Sequence, residues 1–267
     1  MKRQVLKMTK IREAAEKLLE AERTRNPIEP LTVLYPGITV DEAYFTQLEM
    51  IRRKVDGGAV IVGKKIGATS KAIQNMFGVT QPDYGHILDD MMYVEGEAIP
   101  MERFIQPKVE FEIAFKLAKD LRGPYVTVVD VMDATEYIVP AIEIIDSRIK
   151  DWNIQFEDTV ADNGSAASAV IGSNPVKPDG IDLTHIGMVV HKNGEIIDSA
   201  AGAAVLGNPL RAVAWLANSL AKYDVHLKAG EIILSGSLTK ALEVEENDVF
   251  TAEFDHLGTV TVKFTRE

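Results

Sequence analysis

Residues 109–117, with the sequence VEFEIAFKL, alternate strictly along the chain, and this pattern predicts a β-strand. The apolar side chains occupy every second position and share one face, whereas Glu110 and Glu112 share the other. Side chains two positions apart on a strand lie about 6–7 Å apart at Cα, so the two glutamates can converge on one cation. The competing interpretation is that they form the solvated face of an edge strand.

A third carboxylate, Glu143, stands in an apolar run, PAIEIID at 140–146. A buried carboxylate is costly unless it is paired or bound to a metal, so Glu143 is either a metal ligand or half of a buried ion pair, with Arg148 as candidate partner. Three carboxylates from two strands supply the oxygen ligands that magnesium, manganese or calcium prefers. The chain has no cysteine, which excludes zinc-thiolate sites, iron–sulfur clusters and cysteine nucleophiles.

Two adjacent lysines, Lys64 and Lys65, lie in a predicted buried strand, AVIVGKKIG, and must point to opposite faces of it. A lysine that faces a metal site has a lowered pKa and can exchange protons, whereas a paired buried lysine is structural. The pattern alone does not choose between them. Asp83, in QPDYG, is by default a turn former.

Two loops of small residues, ADNGSAAS at 161–168 and AAGAAVLGNP at 200–209, are the other candidate site segments. Loops of this kind bring backbone groups close to a ligand, although most are only connections. His86 is the one histidine that lies beside a candidate site segment, and the five histidines show no ligand spacing. The chain has no glycine-rich phosphate loop, so a nucleotide cofactor has no support.

The order of the predicted elements indicates an α+β fold. Residues 10–25 have helical spacing, and Thr39 and Glu42 form a capping box that opens a second helix. Beyond residue 58 most segments have strand patterns, with a turn predicted at PDYG, and strands and helices do not alternate regularly. We therefore expect a small helical N-terminal region at 1–58 and a larger, mostly antiparallel β-rich body at 59–267, which can also form one continuous domain.

The charge balance narrows the range of partners. The formal net charge is −11, which argues against nucleic acid and anionic membranes as partners. The first ten residues, MKRQVLKMTK, lack the apolar run of a signal peptide, and no uncharged stretch approaches the roughly 18 residues of a membrane span. The sequence therefore predicts a soluble, cytoplasmic protein.

Six ordered segments together resemble the 2-keto-4-pentenoate hydratase family, and the resemblance runs over almost the whole chain. The family includes dienoate hydratases, 2-oxo-hept-3-ene-1,7-dioate hydratase and 4-oxalocrotonate decarboxylase, and it is related in fold to fumarylacetoacetate hydrolase. The matching segments are KIGATS at 65–70, QPDYG at 81–85, PKVEFEIAF at 107–115, PAIEIIDSR at 140–148, DWNIQFEDTVADN at 151–163 and GAAVLGNP at 202–209.

The resemblance implies a role for each candidate residue. It implies that Mg²⁺ or Mn²⁺ is held by three carboxylates, that Lys65 transfers protons with help from Asp83, and that a loop and a turn hold the keto-acid end of the substrate. The metal ligands would be Glu110, Glu112 and Glu143, and the substrate-binding residues Ser165, Leu206 and Gly207. Relatives often have alanine at the position of Gly164.

The resemblance also implies a β-rich roll with peripheral helices, in which residues 59–267 are the β-rich catalytic domain. It further implies a homo-oligomer that adds water to 2-hydroxypenta-2,4-dienoate, or to a close homologue, in the meta-cleavage degradation of aromatic compounds. Two alternatives within the family are decarboxylation of 4-oxalocrotonate and hydration of 2-oxo-hept-3-ene-1,7-dioate. A third alternative is a catalytically idle partner of a related enzyme. The three carboxylates and Lys65 argue against an idle partner.

Overall fold

The computed structural model describes residues 2–266. At residues 2–7 and at residue 72 it describes the backbone but not the side chains. Over this range the chain forms seven α-helices: α1 (Lys2–Thr24), α2 (Leu31–Leu34), α3 (Val40–Asp56), α4 (Lys71–Phe77), α5 (Val128–Ala134), α6 (Phe156–Ala161) and α7 (Pro209–Leu220). It also forms thirteen strands: β1 (Ile61–Gly67), β2 (Asp83–Leu88), β3 (Met92–Val94), β4 (Ala98–Pro100), β5 (Lys108–Leu117), β6 (Thr135–Ile145), β7 (Ala166–Ile171), β8 (Gly187–Lys192), β9 (Glu195–Ala201), β10 (Ile232–Leu234), β11 (Leu242–Glu243), β12 (Val249–Phe254) and β13 (Gly258–Thr265).

The strands form two sheets, and both sheets are mixed. The larger sheet has eight strands in the order β2-β1-β10-β5-β6-β7-β3, with β11 paired to β5, and the smaller has five in the order β4-β13-β12-β8-β9. Parallel pairs join β1 to β10, β3 to β7 and β4 to β13. The expectation of a mostly antiparallel roll is therefore corrected to two mixed sheets, in which eight of the eleven pairs between these strands are antiparallel. Side-chain alternation is the same in both kinds of pair, so it does not reveal the direction of a distant partner.

Strand β5 lies inside the larger sheet, between β10 and β6. Its apolar side chains, including those of Phe111 and Phe115, are fully buried in the main core, as the alternation predicts. Glu112, on the other face, is also fully buried. The interpretation of Glu110 and Glu112 as the solvated face of an edge strand is therefore wrong, because both edges of β5 are covered.

Local sequence signals place the helices that surround this sheet. The capping box at the start of α3 is confirmed, since the Thr39 side chain accepts from the Glu42 backbone N–H and the Glu42 carboxylate accepts from the Thr39 backbone N–H. Helix α3 packs against α1 and α6. None of the helices between residues 2 and 266 is both long and apolar enough to cross a bilayer.

Candidate active site

Three carboxylates converge on one face of the larger sheet. Glu110 on β5 lies directly opposite Glu143 on β6, and Glu112 follows two positions along β5. Each of the three offers one oxygen, and these oxygens all lie within 4.8 Å of one another. The antiparallel register brings the two strands together at this point, so residues far apart in sequence share one small volume.

Several oxygens in this cluster lack a hydrogen-bond donor. Glu112 Oε2 accepts from the Gly236 backbone N–H at 2.7 Å, but Glu112 Oε1 and both oxygens of Glu143 have no hydrogen-bond partner among the described residues. In the alternative interpretation of Glu143 as half of a buried ion pair, Arg148 is the candidate partner; Arg148 pairs instead with Asp162 at 2.6 Å, and the cation beside Glu143 is Lys65, at 3.3 Å. Buried, unpaired carboxylate oxygens are costly, and an all-oxygen set of this kind fits a hard divalent cation.

Burial raises the pKa of all three carboxyl groups above the ordinary value for glutamate. Burial raises the pKa of Glu143 to about 8, against the attraction of Lys65 and with the help of Glu110. Burial also raises the pKa of Glu112 well above its ordinary value, and the charges of Glu143 and Glu110 raise it further. Like charges in a low-dielectric site cannot all ionise unless a cation compensates them.

This arrangement predicts how metal-free protein responds to pH. The Glu143 pKa is about 8 in the folded chain and near its ordinary value of 4.5 in the unfolded chain, so unfolding releases a proton between these values. The contribution of Glu143 to stability is therefore fully present below about pH 4.5 and is lost as the pH rises through about 8. With chelator present, we expect the melting temperature of Glu143→Gln to rise relative to wild type between about pH 5 and 8. A difference in melting temperature between Glu143→Gln and wild type that does not change with pH would contradict this prediction.

The two adjacent lysines of β1 have different environments. Lys65 Nζ donates to the Gly164 carbonyl at 2.8 Å and lies 3.3 Å from Glu143 Oε1, a distance of ionic attraction without hydrogen-bond geometry. Lys64, on the opposite face, pairs with Glu231 at 2.6 Å. Both side chains are buried, so burial by itself does not separate them. The structure brings Lys65, and not Lys64, to the carboxylates.

A lowered pKa is expected for a lysine that faces a metal ion, and the carboxylates by themselves shift the pKa of Lys65 in the opposite direction. Burial lowers its pKa, but the charges of Glu143, Asp83, Glu110 and Glu112 together outweigh burial and raise the pKa above the ordinary value. Lys65 is therefore an ammonium that compensates part of the carboxylate charge.

Asp83 lies at the start of β2 and is buried beside this cluster. The predicted turn at PDYG is wrong, because Asp83 and Tyr84 pair with β1 as strand residues. One carboxylate oxygen of Asp83 accepts from Thr159 Oγ1 at 3.1 Å, and the other has no partner among the described residues. A Cβ at Gly67 would overlap that second oxygen, so a larger residue at this position of β1 would displace the Asp83 carboxylate.

Ser165 lies in a backbone turn that is unusual for its residue types. Asn163, Gly164 and Ser165 follow one another with φ of 56°, 59° and 58°. The left-handed region is unfavourable for serine, and strained backbone of this kind is concentrated at ligand sites. Ser165 is buried, and its Oγ has no hydrogen-bond partner within residues 2–266. A buried hydroxyl without a partner suits a site that hydrogen-bonds a ligand.

A cavity of about 260 Å³ joins several of these groups, and Lys65, Asp83, Glu110 and Ser165 line it. Thr159, Lys108 and Lys240 line the same cavity, and sequence patterns had not singled them out. Thr159 and Lys108 lie inside segments that carry the family resemblance, so their position in those motifs was the available signal. The apolar part of the wall is formed by Ile73, Met76, Phe77, Trp152 and Ile154.

The turn that contains Leu206 and Gly207 lies outside this cavity. Both residues have left-handed backbone, with φ of 47° and 80°, just before the Asn208 side chain caps α7. Neither is among the residues that line the cavity of about 260 Å³. The structure therefore does not bring these two residues to the carboxylates.

A larger cavity, of about 880 Å³, lies beside Lys64, His86 and Glu231, and none of the three clustered carboxylates lines it. Burial lowers the pKa of His86 to about 3, and its Nδ1 lies 3.0 Å from Gln47 Oε1. His86 is therefore a neutral, buried side chain and is not part of the carboxylate cluster. The candidate site is therefore the smaller cavity, which is identified by the polar groups that converge on it and not by its volume.

Similarity to known proteins agrees with this geometry. Residues 59–265 match the fumarylacetoacetate (FAA) hydrolase C-terminal family. The chain is 49% identical over 218 residues to a 2-hydroxypent-2,4-dienoate hydratase of Pseudomonas putida, with 81% of this chain and 98% of that protein covered. It is 42% identical over 256 residues to a 2-oxo-hept-4-ene-1,7-dioate hydratase of Escherichia coli, with 94% and 96% covered.

The structure superimposes on that of 4-oxalocrotonate decarboxylase from Pseudomonas putida G7, complexed with magnesium and adipate, with a TM-score of 0.94. The two sequences are 36% identical, and the match covers 96% of this chain and 98% of that one. The expected relation to the fumarylacetoacetate hydrolase fold is confirmed. The chain therefore belongs to the 2-keto-4-pentenoate hydratase family, and its residues 59–265 form a fumarylacetoacetate hydrolase C-terminal domain.

Proposed function

We propose that this protein is a divalent-metal-dependent hydratase that converts 2-hydroxypenta-2,4-dienoate, or a close homologue, into a 4-hydroxy-2-oxo acid during meta-cleavage degradation of aromatic compounds. The observation that carries the proposal is the cluster of Glu110, Glu112 and Glu143 beside Lys65 and a small cavity. Several relatives that are 41–49% identical are named as hydratases of such dienoates.

The three clustered carboxylates are the proposed ligands of Mg²⁺ or Mn²⁺. The unpaired oxygens of Glu112 and Glu143 fit such a cation, and the related decarboxylase is complexed with magnesium. The cation would supply Lewis-acid polarisation of the 2-oxo acid. Glu112 is already oriented by the Gly236 N–H, and Glu143 is held by its place opposite Glu110.

The reaction needs one proton moved and one water added. The dienol loses its hydroxyl proton and gains a proton at C5, which gives a conjugated ketone, and water then adds across C3 and C4. We assign the proton transfers to Lys65, whose Nζ donates to the Gly164 carbonyl, with help from Asp83, whose free oxygen suits the orientation of the water. Ser165 Oγ is the proposed donor to the keto-acid end of the substrate.

Several broader assignments belong to the same proposal. We propose that residues 59–267 form the catalytic part and residues 1–58 a helical addition, and that the protein is a cytoplasmic homo-oligomer without nucleic-acid or membrane partners. A substrate-binding role for Leu206 and Gly207 rests on the family resemblance alone.

Hydration of a heptenedioate is the second candidate function. Lys108 and Lys240 line the same cavity as Glu110, and two positively charged side chains there would suit a substrate with a second carboxylate. The relative of Escherichia coli that is 42% identical is named for such a dioate. Decarboxylation of 4-oxalocrotonate is less favoured, because the related decarboxylase is 36% identical and the hydratases are 41–49% identical.

A substrate comparison tests the proposal. With Mg²⁺ present, we expect 2-hydroxypenta-2,4-dienoate to lose its absorbance and to yield 4-hydroxy-2-oxopentanoate, because the site combines cation ligands with a proton-transfer lysine. The control is 4-oxalocrotonate, from which carbon dioxide release is measured. Carbon dioxide release without consumption of the dienoate would show that the protein is a decarboxylase, and faster turnover of the heptenedioate would favour the second candidate.

A further inference from the structure

The left-handed turn at 163–165 is fastened to β2 by one side chain. Asn163 Oδ1 accepts from the His86 backbone N–H at 2.8 Å, and Asn163 Nδ2 donates to the His86 carbonyl at 2.9 Å. Both backbone groups of His86 therefore bond to a single side-chain amide. Asn163 is itself buried, so water does not readily replace these bonds.

The amide of Asn163 takes the place of a neighbouring strand. Strand β2 is the edge of the eight-stranded sheet, with β1 on its inner side, and His86 lies opposite Lys64 in that pair. The two bonds to Asn163 satisfy the outer backbone groups of His86. The backbone of the turn also packs closely against that of β2, so that a Cβ at Gly85 would overlap the Asn163 carbonyl.

Two groups of the proposed active site depend on the position of this turn. The Gly164 carbonyl, the next along the chain, accepts from Lys65 Nζ at 2.8 Å. Ser165 Oγ is buried without a partner among the described residues and lines the same cavity. At its far end, the Ser165 carbonyl accepts from the Asp146 N–H at 2.8 Å, so the turn is tied to β2 on one side and to the end of β6 on the other.

We infer that Asn163 is a positioning residue for Lys65 and Ser165, an inference that rests on the proposed function. Its amide fixes the turn against β2, and the turn fixes the carbonyl that holds the lysine. Asparagine suits this position for two reasons. It tolerates left-handed backbone better than most residues, and its short side chain offers a donor and an acceptor in one plane. Aspartate would lack the donor, and alanine would lack both groups.

Gln47 on α3 provides a matched control. Its side-chain amide is also buried and also bonds to β2 and α6, through the carbonyls of Tyr84 and Val160, and its Oε1 lies against His86 Nδ1. None of these three bonds reaches the turn at 163–165. Gln47→Met therefore removes a comparable set of buried hydrogen bonds without releasing Gly164 or Ser165.

The test compares Asn163→Ala and Asn163→Asp with Gln47→Met at saturating Mg²⁺. We expect both Asn163 variants to lower kcat about 10- to 100-fold with KM changed less than about threefold, because proton transfer needs correct placement and the carboxylate ligands are untouched. Gln47→Met should lower the melting temperature to a similar extent and keep kcat within about twofold. Asn163→Asp keeps the shape of the side chain, so the comparison with Gln47→Met can be made with this variant if Asn163→Ala does not fold.

A second measurement does not depend on turnover. Labelling with an amine-reactive reagent, followed by peptide mapping, should show Lys65 several times more reactive in the Asn163 variants and unchanged in Gln47→Met. Unchanged kcat and unchanged Lys65 labelling in both Asn163 variants would overturn the inference, as would equal losses of kcat in the Gln47 variant. If the wild-type protein consumes no dienoate and the Asn163 variants still label more strongly at Lys65, the proposed function fails and the positioning role stands.

Discussion

Replacing Lys65 with methionine is expected to lower turnover of the dienoate by about 10²-fold or more at saturating Mg²⁺, the usual scale for a proton-transfer group. Lys65 is the one of the two adjacent lysines that contacts the carboxylate cluster, with Nζ 3.3 Å from Glu143 and 2.8 Å from the Gly164 carbonyl. Methionine has similar length without a proton to donate. Initial rates and the folded fraction, measured on the same samples, separate lost chemistry from lost structure.

The control at Lys64 must allow for a loss of stability. Because the resemblance assigns proton transfer to Lys65, the effect of Lys64→Ala on turnover is expected to be mild, but Lys64 and Glu231 form a buried pair at 2.6 Å. Removal of one partner of a buried pair costs about 3–5 kcal/mol. We therefore expect Lys64→Met to lower the melting temperature strongly, and Lys64→Met with Glu231→Gln to recover part of it, with kcat per folded molecule retained in both. Loss of kcat at Lys64 with normal turnover at Lys65 would reverse the assignment.

Removal of the metal is expected to have an equally large effect. A chelator should lower turnover by about 10³-fold or more, because Lewis-acid stabilisation is worth several kcal/mol. Addition of Mg²⁺ or Mn²⁺ should restore it. Full activity after exhaustive chelation, checked by elemental analysis of the protein, would exclude a metal-dependent reaction.

The effect of Mg²⁺ on the melting temperature tests, independently of catalysis, whether the cation binds to the carboxylate cluster. A ligand at about 100 times its dissociation constant stabilises a protein by about 2.7 kcal/mol. We expect Mg²⁺ to raise the melting temperature of wild type and to have little effect on Glu112→Gln. Without metal, that variant should be more stable than wild type above neutral pH, since it removes one of several buried like charges. The control is Glu136→Gln, an exposed position on β6 that should keep the Mg²⁺ response. An unchanged Mg²⁺ shift in Glu112→Gln would place the cation elsewhere.

Much of the site could be predicted from local patterns. Alternation along β5 put Glu110 and Glu112 on one face, and the apolar run around Glu143 marked it as a carboxylate that needed compensation. The resemblance singled out Lys65, and the structure places it at the cluster. These signals are short-range, since the direction of a side chain on a strand depends only on its neighbours in the chain.

The tertiary structure decided which distant residues meet. The sequence by itself determined the strand faces, the capped start of α3 and the residue types available to a cation. It did not determine that β1 and β10 are parallel, that PDYG opens a strand, that Arg148 pairs with Asp162, or that Asn163 covers the edge of β2. Such pairings depend on register and packing between segments far apart in the chain. The alternation of side chains along a strand is the same whichever strand it pairs with and whether the pair is parallel or antiparallel. The choice among possible strand pairs is therefore made only by the packing of the folded core.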